Sequence, residues 1–404
     1  MLPLRLQFFL AYGVYGGLLP FLPGFLEKER ALTSAQIGYV FGVSSIATVL
    51  TPVLLTLLAD TVISSRRLIG LLSLIGGAAL AAMLFVQGFW PTLLCYSIWA
   101  LTFMPVTPLT DAYHFSVQAR RLELGQPAVP YHHLRPLGTI GFLVPNAILF
   151  FLLSTGSKAD VAIIAAAIMC LLSAMNSLLL PEAERVVEVV QPAGVKRSLP
   201  TLAALKAMVQ PPVLVFAVAL FLVHLACAAY YTFYPIYLTK EVGIDRQWAG
   251  LIISIGVTIE IGFILAFGWM LRRWGLKAIL IAGMFASAVR LALLGAFPTP
   301  FVAIGTQVFH GIWVVMLHVA PPGFINDHAG SRYRNSMQGL FVMLVYGTSR
   351  LIGNAVGGHI AEVSLRAVFF TGAGLCMAAV VLMVVAFHEK GKATGAERCD
   401  AGAG

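Results

Sequence analysis

Residues Gln247–Leu271 read QWAGLIISIGVTIEIGFILAFGWML, and this run decides the fold. It is 25 residues long, and Glu260 is its one charged side chain. At about 1.5 Å rise per residue it crosses a hydrocarbon core of roughly 30 Å as a single helix. A carboxylate at mid-depth costs about 2.5 kcal/mol or more to insert, so it is expected to face a wet cavity or a partner.

The rest of the chain has the same character. Of its 404 residues, 59% are hydrophobic and 11% charged, against about 25% charged in a soluble domain. This is the composition of an integral membrane protein. Twelve apolar runs are predicted as transmembrane helices, at 5–26, 36–58, 68–88, 91–114, 134–153, 160–180, 212–238, 247–271, 277–297, 300–322, 336–358 and 366–387. Residues 181–211 form the one long polar connection, and 389–404 a polar tail. With both termini in the cytoplasm, 18 Lys and Arg fall on the inner side, 6 on the outer side, and Arg290 and Arg350 within spans. That asymmetry supports an even number of spans and explains the net charge of +9 without nucleic acid as partner. The first run carries Arg5 and no small-residue cleavage site, as expected of a retained helix. Cys95, Cys170, Cys227 and Cys376 sit in apolar spans, and with Cys399 show no metal-ligand spacing. No metal and no cofactor is expected.

An internal repeat sets the architecture. Pro23-Gly-Phe-Leu-Glu-Lys-Glu, then Leu32 and Gly38, recurs as Pro235-Ile-Tyr-Leu-Thr-Lys-Glu, then Ile244 and Gly250, at a constant offset of 212. The offset lays span one on span seven and span two on span eight. The expected fold is all-α: twelve transmembrane helices in two parallel-related six-helix bundles, 1–180 and 212–388, joined by a cytoplasmic linker at 181–211.

Several stretches carry a family likeness. Leu58-Ala-Asp60 through Arg66-Arg67, Pro105-Val-Thr-Pro108-Leu-Thr-Asp111, Leu134-Arg135-Pro-Leu-Gly138-Thr139-Ile-Gly141-Phe142, Phe233-Tyr-Pro235, Glu260-Ile-Gly-Phe and Gln307-Val-Phe-His310 are the relevant segments. Together they resemble the major facilitator superfamily. The likeness is to the branch holding phenylpropionate permease, nucleoside:proton symporters and lactose permease. It covers essentially the whole chain.

Counting residues from the span ends puts Glu260, Arg290 and His310 at similar depth, roughly 15–20 Å from the membrane surface. A carboxylate, a guanidinium and an imidazole at one level can pair and share a proton. The resemblance implies that these three form the proton-coupling cluster. Lactose permease has an acid three residues after its span-ten histidine; this chain has Trp313 there, which leaves Glu260 to carry the proton. Arg135, Thr139 and Phe142 have spacings of four and three and share a helix face. The resemblance makes them substrate-facing, and the alternative for Arg135 is an ordinary positive-inside residue. Asp111, behind the helix-bending Pro105 and Pro108, is a possible partner for Arg135. His224 is a candidate cavity residue, Glu260 a candidate substrate contact as well, and Asp60 with Arg66 and Arg67 a candidate conformational latch. Arg350 and Asn354, four apart on span eleven, suggest an interhelical pair, while Gly353 and Gly357 suggest close helix packing.

The predicted function is gradient-driven transport of a small organic solute, proton-coupled import by alternating access. Solutes that fit the residues are an aromatic acid, a nucleoside or a sugar. An exporter or facilitator of the same fold is the alternative, and a non-transporting receptor or scaffold ranks below both. Catalysis is not expected, since no nucleophile–base spacing or phosphate-binding glycine loop occurs. The expected setting is a monomer in the lipid bilayer of a bacterial inner membrane.

Overall fold

The computed structural model describes residues 1–59, 64–127, 131–181, 200–328 and 330–387. All secondary structure among them is helical. Ten helical stretches are long and apolar enough to cross a membrane. One of these, Trp248–Ala296, reverses at Gly275, whose φ of 75° is open to glycine and strained for other residues. It therefore supplies two spans, which Arg272, Arg273 and Lys277 bracket at the turn. The 26-residue helix Ser34–Ala59 adds the twelfth.

We number the spans α1 (Leu2–Lys28), α2 (Ser34–Ala59), α3 (Ser65–Met83), α4 (Phe89–Glu123), α5 (Tyr131–Ser154) and α6 (Asp160–Ser177). The second six are α7 (Pro211–Lys240), α8 (248–274), α9 (276–296), α10 (Pro300–His328), α11 (Ser336–Val363) and α12 (Leu365–Ala386). Each predicted run falls on one of them. Helix α4 outruns its predicted end at 114 and reaches Glu123. It is broken at Met104–Pro105, where proline lacks the N–H that the helix ladder needs. A further short helix, Pro200–Met208, precedes α7. Most of the linker and the tail, residues 182–199 and 388–404, lie outside the described residues.

The sequence offset of 212 reappears in the packing. Helix α1 lies against α5, and its repeat mate α7 lies against α11, the repeat mate of α5. Both contacts are glycine-mediated. A Cβ at Gly141 would sit 2.2 Å from the Phe9 carbonyl oxygen, and one at its mate Gly353 would sit 2.5 Å from that of Leu225. In lipid, where apolar surface gives no driving force between helices, such backbone approach supplies the dispersion contact that holds them.

The two sets of six helices meet through α2 with α11 and α5 with α8, the same pair exchanged by the repeat. Gly38 of α2 seats the backbone of Asn354, and its mate Gly250 of α8 seats the side chain of Asn146. Polar contacts gather at the end of the bundle remote from both termini. Lys240 pairs with Glu27 at 2.7 Å. Arg246 donates to the Ser157 carbonyl at 2.7 Å and lies 3.8 Å from Glu29. The Ala35 N–H donates to Glu362, and Tyr39 hydroxyl and His359 Nε2 share a bond of 2.8 Å. This end is closed across the two halves.

Candidate functional site

Arg290 is fully buried in α9, with an exposure of 0%. A guanidinium there must have its donors satisfied, and most of them are. Nη2 donates to Gln307 Oε1 at 2.8 Å and also to the Tyr230 hydroxyl. The guanidinium carbon lies 4.5 Å from the Tyr230 ring centroid and 5.0 Å from that of Trp313, within cation–π range. Gln307 passes the polarity on, donating from Nε2 to the Tyr234 hydroxyl, which in turn donates to the Ala303 carbonyl. Arg290 Nε has no hydrogen-bond partner. Three helices, α7, α9 and α10, thus converge on one charge.

His310 connects this charge to Glu260. Its Nδ1 lies 3.4 Å from Arg290 Nη1, and its Nε2 lies 3.3 Å from Glu260 Oε2. A guanidinium can only donate, so Nδ1 must accept. The ring proton is thereby assigned to Nε2, where it points at the carboxylate. Gly256, one turn before Glu260, leaves the room: a Cβ there would lie 2.7 Å from Gln307 Oε1 and 2.9 Å from the His310 ring. Glu260 is the most open of the three, with its side chain 23% exposed against 5% for His310. The three residues that depth counting placed at one level are brought together, and Trp313 takes the place of an acid beside them.

The amino-terminal helices carry a different arrangement. The Arg135 guanidinium lies 4.4 Å from the Tyr12 ring centroid and makes no ion pair among the described residues. Asp111 accepts from the Tyr131 hydroxyl at 2.9 Å, so its partner is a tyrosine and not Arg135. Arg135, Thr139 and Phe142 are each partly exposed along one face of α5. Gly138 on that face lets the helix lie against the Tyr12 ring. His224 is 2% exposed; its ring lies 4.3 Å from that of Tyr346 and 5.9 Å from that of His318. Of the candidate latch, Asp60 lies outside the described residues. Arg66 donates to the Leu180 carbonyl at 3.4 Å, and Arg67 is exposed. Asn354 accepts from Thr232 of α7 at 2.8 Å, an interhelical pair that leaves Arg350 out. Cys95, Cys170, Cys227 and Cys376 are buried free thiols.

Sequence comparison bears on this geometry. A profile described as the MFS_1 like family matches residues 1–371. The chain belongs to that family. It is a multi-pass membrane transporter of the major facilitator type. Among curated members, the putative nucleoside transporter YegT of Escherichia coli is 27% identical over 356 residues, 85% of this chain and 80% of that one. Xanthosine permease of Escherichia coli is 24% identical, covering 88% and 86%. The crystal structure of the nucleoside transporter NupG superposes with a TM-score of 0.84 over 96% of this chain and 99% of its own, at 22% identity. A peptide transporter of the POT family superposes at 0.72, with 14% identity and 96% and 93% covered.

Within this family fold, several participants were not legible in the sequence. Aromatics such as Tyr230 and Tyr234 are common in spans, yet the hydroxyls of these two complete the Arg290 network. Helix α10 is not a plain α-helix: Thr306–Phe309 is 3₁₀ and Val315–Val319 is π-helical. Helix α11 holds a second π segment, Val342–Gly347. The Tyr346 hydroxyl of one donates to the Leu317 carbonyl of the other at 2.6 Å. Such windings often mark functional sites.

Proposed function

We propose that this transporter imports nucleosides or closely similar aromatic solutes together with protons, by alternating access between lobes 1–180 and 212–388. It would act as a monomer in a bacterial inner membrane, with both termini in the cytoplasm. The closed end is external in this reading. The observation that carries the reading is Glu260, partly open, bonded through His310 to a fully buried Arg290. The nucleoside class is supported by the names of the relatives and by the residues of α5. Arg135 offers a cation to hydroxyls or a carbonyl, Thr139 a hydrogen bond, and Phe142 a ring face.

The chemistry follows from charge balance. With Glu260 ionised, carboxylate and guanidinium cancel, and the neutral imidazole bridges them. Protonating Glu260 takes away the charge that strengthens its bond from the His310 Nε2–H and leaves Arg290 uncompensated, so the occupied site favours a rearrangement. A proton taken up outside and released inside therefore couples to the state of the C-terminal bundle. Asp111, His224 and Glu260 border the solute path in this reading, and Arg66 and Arg67 with Asp60 set the balance of states.

The test is uptake of labelled uridine into proteoliposomes with an inward proton gradient. Wild type is expected to accumulate uridine, while Glu260→Gln exchanges it passively without accumulation. No uridine exchange in wild type would sink the nucleoside assignment. Undiminished gradient-driven accumulation in Glu260→Gln would sink proton coupling through this residue.

A further inference from the structure

Arg350 is a charged side chain in the middle of α11. Among the described residues it makes no hydrogen bond and no ion pair, although it is only partly exposed. Other helix-end and interior arginines are engaged. Arg290 has its network, Arg30 donates to the Met83 and Leu84 carbonyls, and Arg366 donates to those of Gly295 and Ala296. An unpaired guanidinium within a span is costly, and such residues ordinarily border a substrate path.

Arg350 does not share the outward face of α11. Ile352 and Val356, on the opposite face of α11, are 41% and 51% exposed, the outward face of the bundle. Arg350 follows Tyr346 by one turn and precedes Asn354 by one turn. Tyr346 is locked by its bond to Leu317, and its ring lies 4.3 Å from His224 and 5.9 Å from His318. His224 Nε2 is buried and has no hydrogen-bond partner. His318, on the π segment of α10, is exposed although it sits mid-helix. Arg350 is within electrostatic reach of both histidines and of Tyr96 in the other half. One permanent cation, two imidazoles and a fixed tyrosine ring thus share one neighbourhood of α7, α10 and α11. The acid of the neighbourhood, Glu260, is taken by His310.

We propose that Arg350, with His224 and His318, forms an anion subsite, and that the solutes carried include ones bearing a single carboxylate. The guanidinium pairs with the carboxylate oxygens, a geometry it satisfies in bidentate fashion, and the His224 Nε2 position takes the remaining hydrogen bond. The subsite lies in the C-terminal bundle, whereas Arg135 belongs to the N-terminal one. Because α5 and α11 are repeat mates, the two guanidiniums stand on equivalent helices of the two halves. The inference rests on the nucleoside reading for the rest of the solute, and the test separates the two.

Purified transporter is titrated calorimetrically with three probes: uridine, its 5′-carboxylate analogue and 3-phenylpropanoate. Wild type, Arg350→Gln and Arg350→Lys are compared. The expected result is that wild type prefers the carboxylate to uridine. Arg350→Gln should lower that preference at least tenfold, and Arg350→Lys should keep most of it. If neither nucleoside binds but 3-phenylpropanoate binds and loses tenfold in Arg350→Gln, the nucleoside reading falls and the anion subsite stands. If no carboxylate probe discriminates wild type from Arg350→Gln, or if Arg350→Lys behaves as Arg350→Gln does, the subsite is overturned.

Discussion

The two halves share a backbone plan and differ in what they do with charge. Helix for helix they are repeats, and even the glycines that let helices touch, Gly141 and Gly353, obey the 212-residue offset. In the C-terminal half, Arg290, His310 and Glu260 are tied to one another and to Gln307, Tyr230 and Tyr234. In the N-terminal half, Arg135 lies on a tyrosine face and Asp111 on a tyrosine hydroxyl, with no ion pair between them. The repeat gives two equivalent scaffolds. Their polar chemistry differs: one half holds a bonded Arg–His–Glu chain, and the other a cation lying on a tyrosine face.

The largest predicted effect breaks the Arg–His–Glu chain. Arg290→Leu leaves Gln307, His310 and Tyr230 without their donor and Glu260 without its counter-charge. It should cost about 3–5 kcal/mol of stability, whereas Arg135→Leu should cost under about 1 kcal/mol. Thermal unfolding in detergent measures both; equal losses would erase the proposed division between halves. Next in size, Arg135→Ala should weaken uridine binding by about 1.5–3 kcal/mol, tenfold or more, with little change in melting temperature. An unchanged affinity would return Arg135 to an ordinary inner-face cation. Gly141→Ala and Gly353→Ala should each destabilise by about 1–3 kcal/mol through overpacking. Gly24→Ala, where nothing lies within 4 Å, is the neutral control. A large difference between the first two would show that the repeat is packed unequally. The smallest effect is at the closed end. Lys240→Ala removes a pair whose lysine is half-exposed and whose Glu27 is only 14% exposed, worth about 1 kcal/mol. Spin-label distances between the halves should shift toward the open state by no more than about fivefold, and less at high salt.

How much of this was legible in the sequence depended on contrast. Glu260, Arg290 and His310 stand out because a polar residue is rare in an apolar run. Depth counting then works, because every span climbs by the same rise per residue. The turn at Gly275 was legible from Arg272, Arg273 and Lys277, which cannot remain in hydrocarbon. Tyr230 and Trp313 were not, because aromatics are common in spans and their partners depend on how helices cross. The Asp111–Tyr131 bond was missed for a related reason. Opposite charges near one another suggest a pair, but the Arg135 side chain lies against Tyr12 instead. The isolation of Arg350 was half visible: its spacing from Asn354 suggested a pair, but Asn354 bonds Thr232.

The π segment at Val315–Val319 has a consequence of phase. A π turn accommodates one residue more than an α turn, and each residue in an α-helix turns the chain by about 100°. His310 and Trp313 lie before that segment and His318 lies within it, so a single helix presents two sets of side chains that a uniform winding would not align. Deleting one residue from the segment would swing everything beyond it by about a quarter turn or slightly more. The imidazole of His318 would leave Tyr346, while His310 would stay at Glu260. In α10, the length of the chain between two histidines is itself a functional quantity, as much as the identity of either.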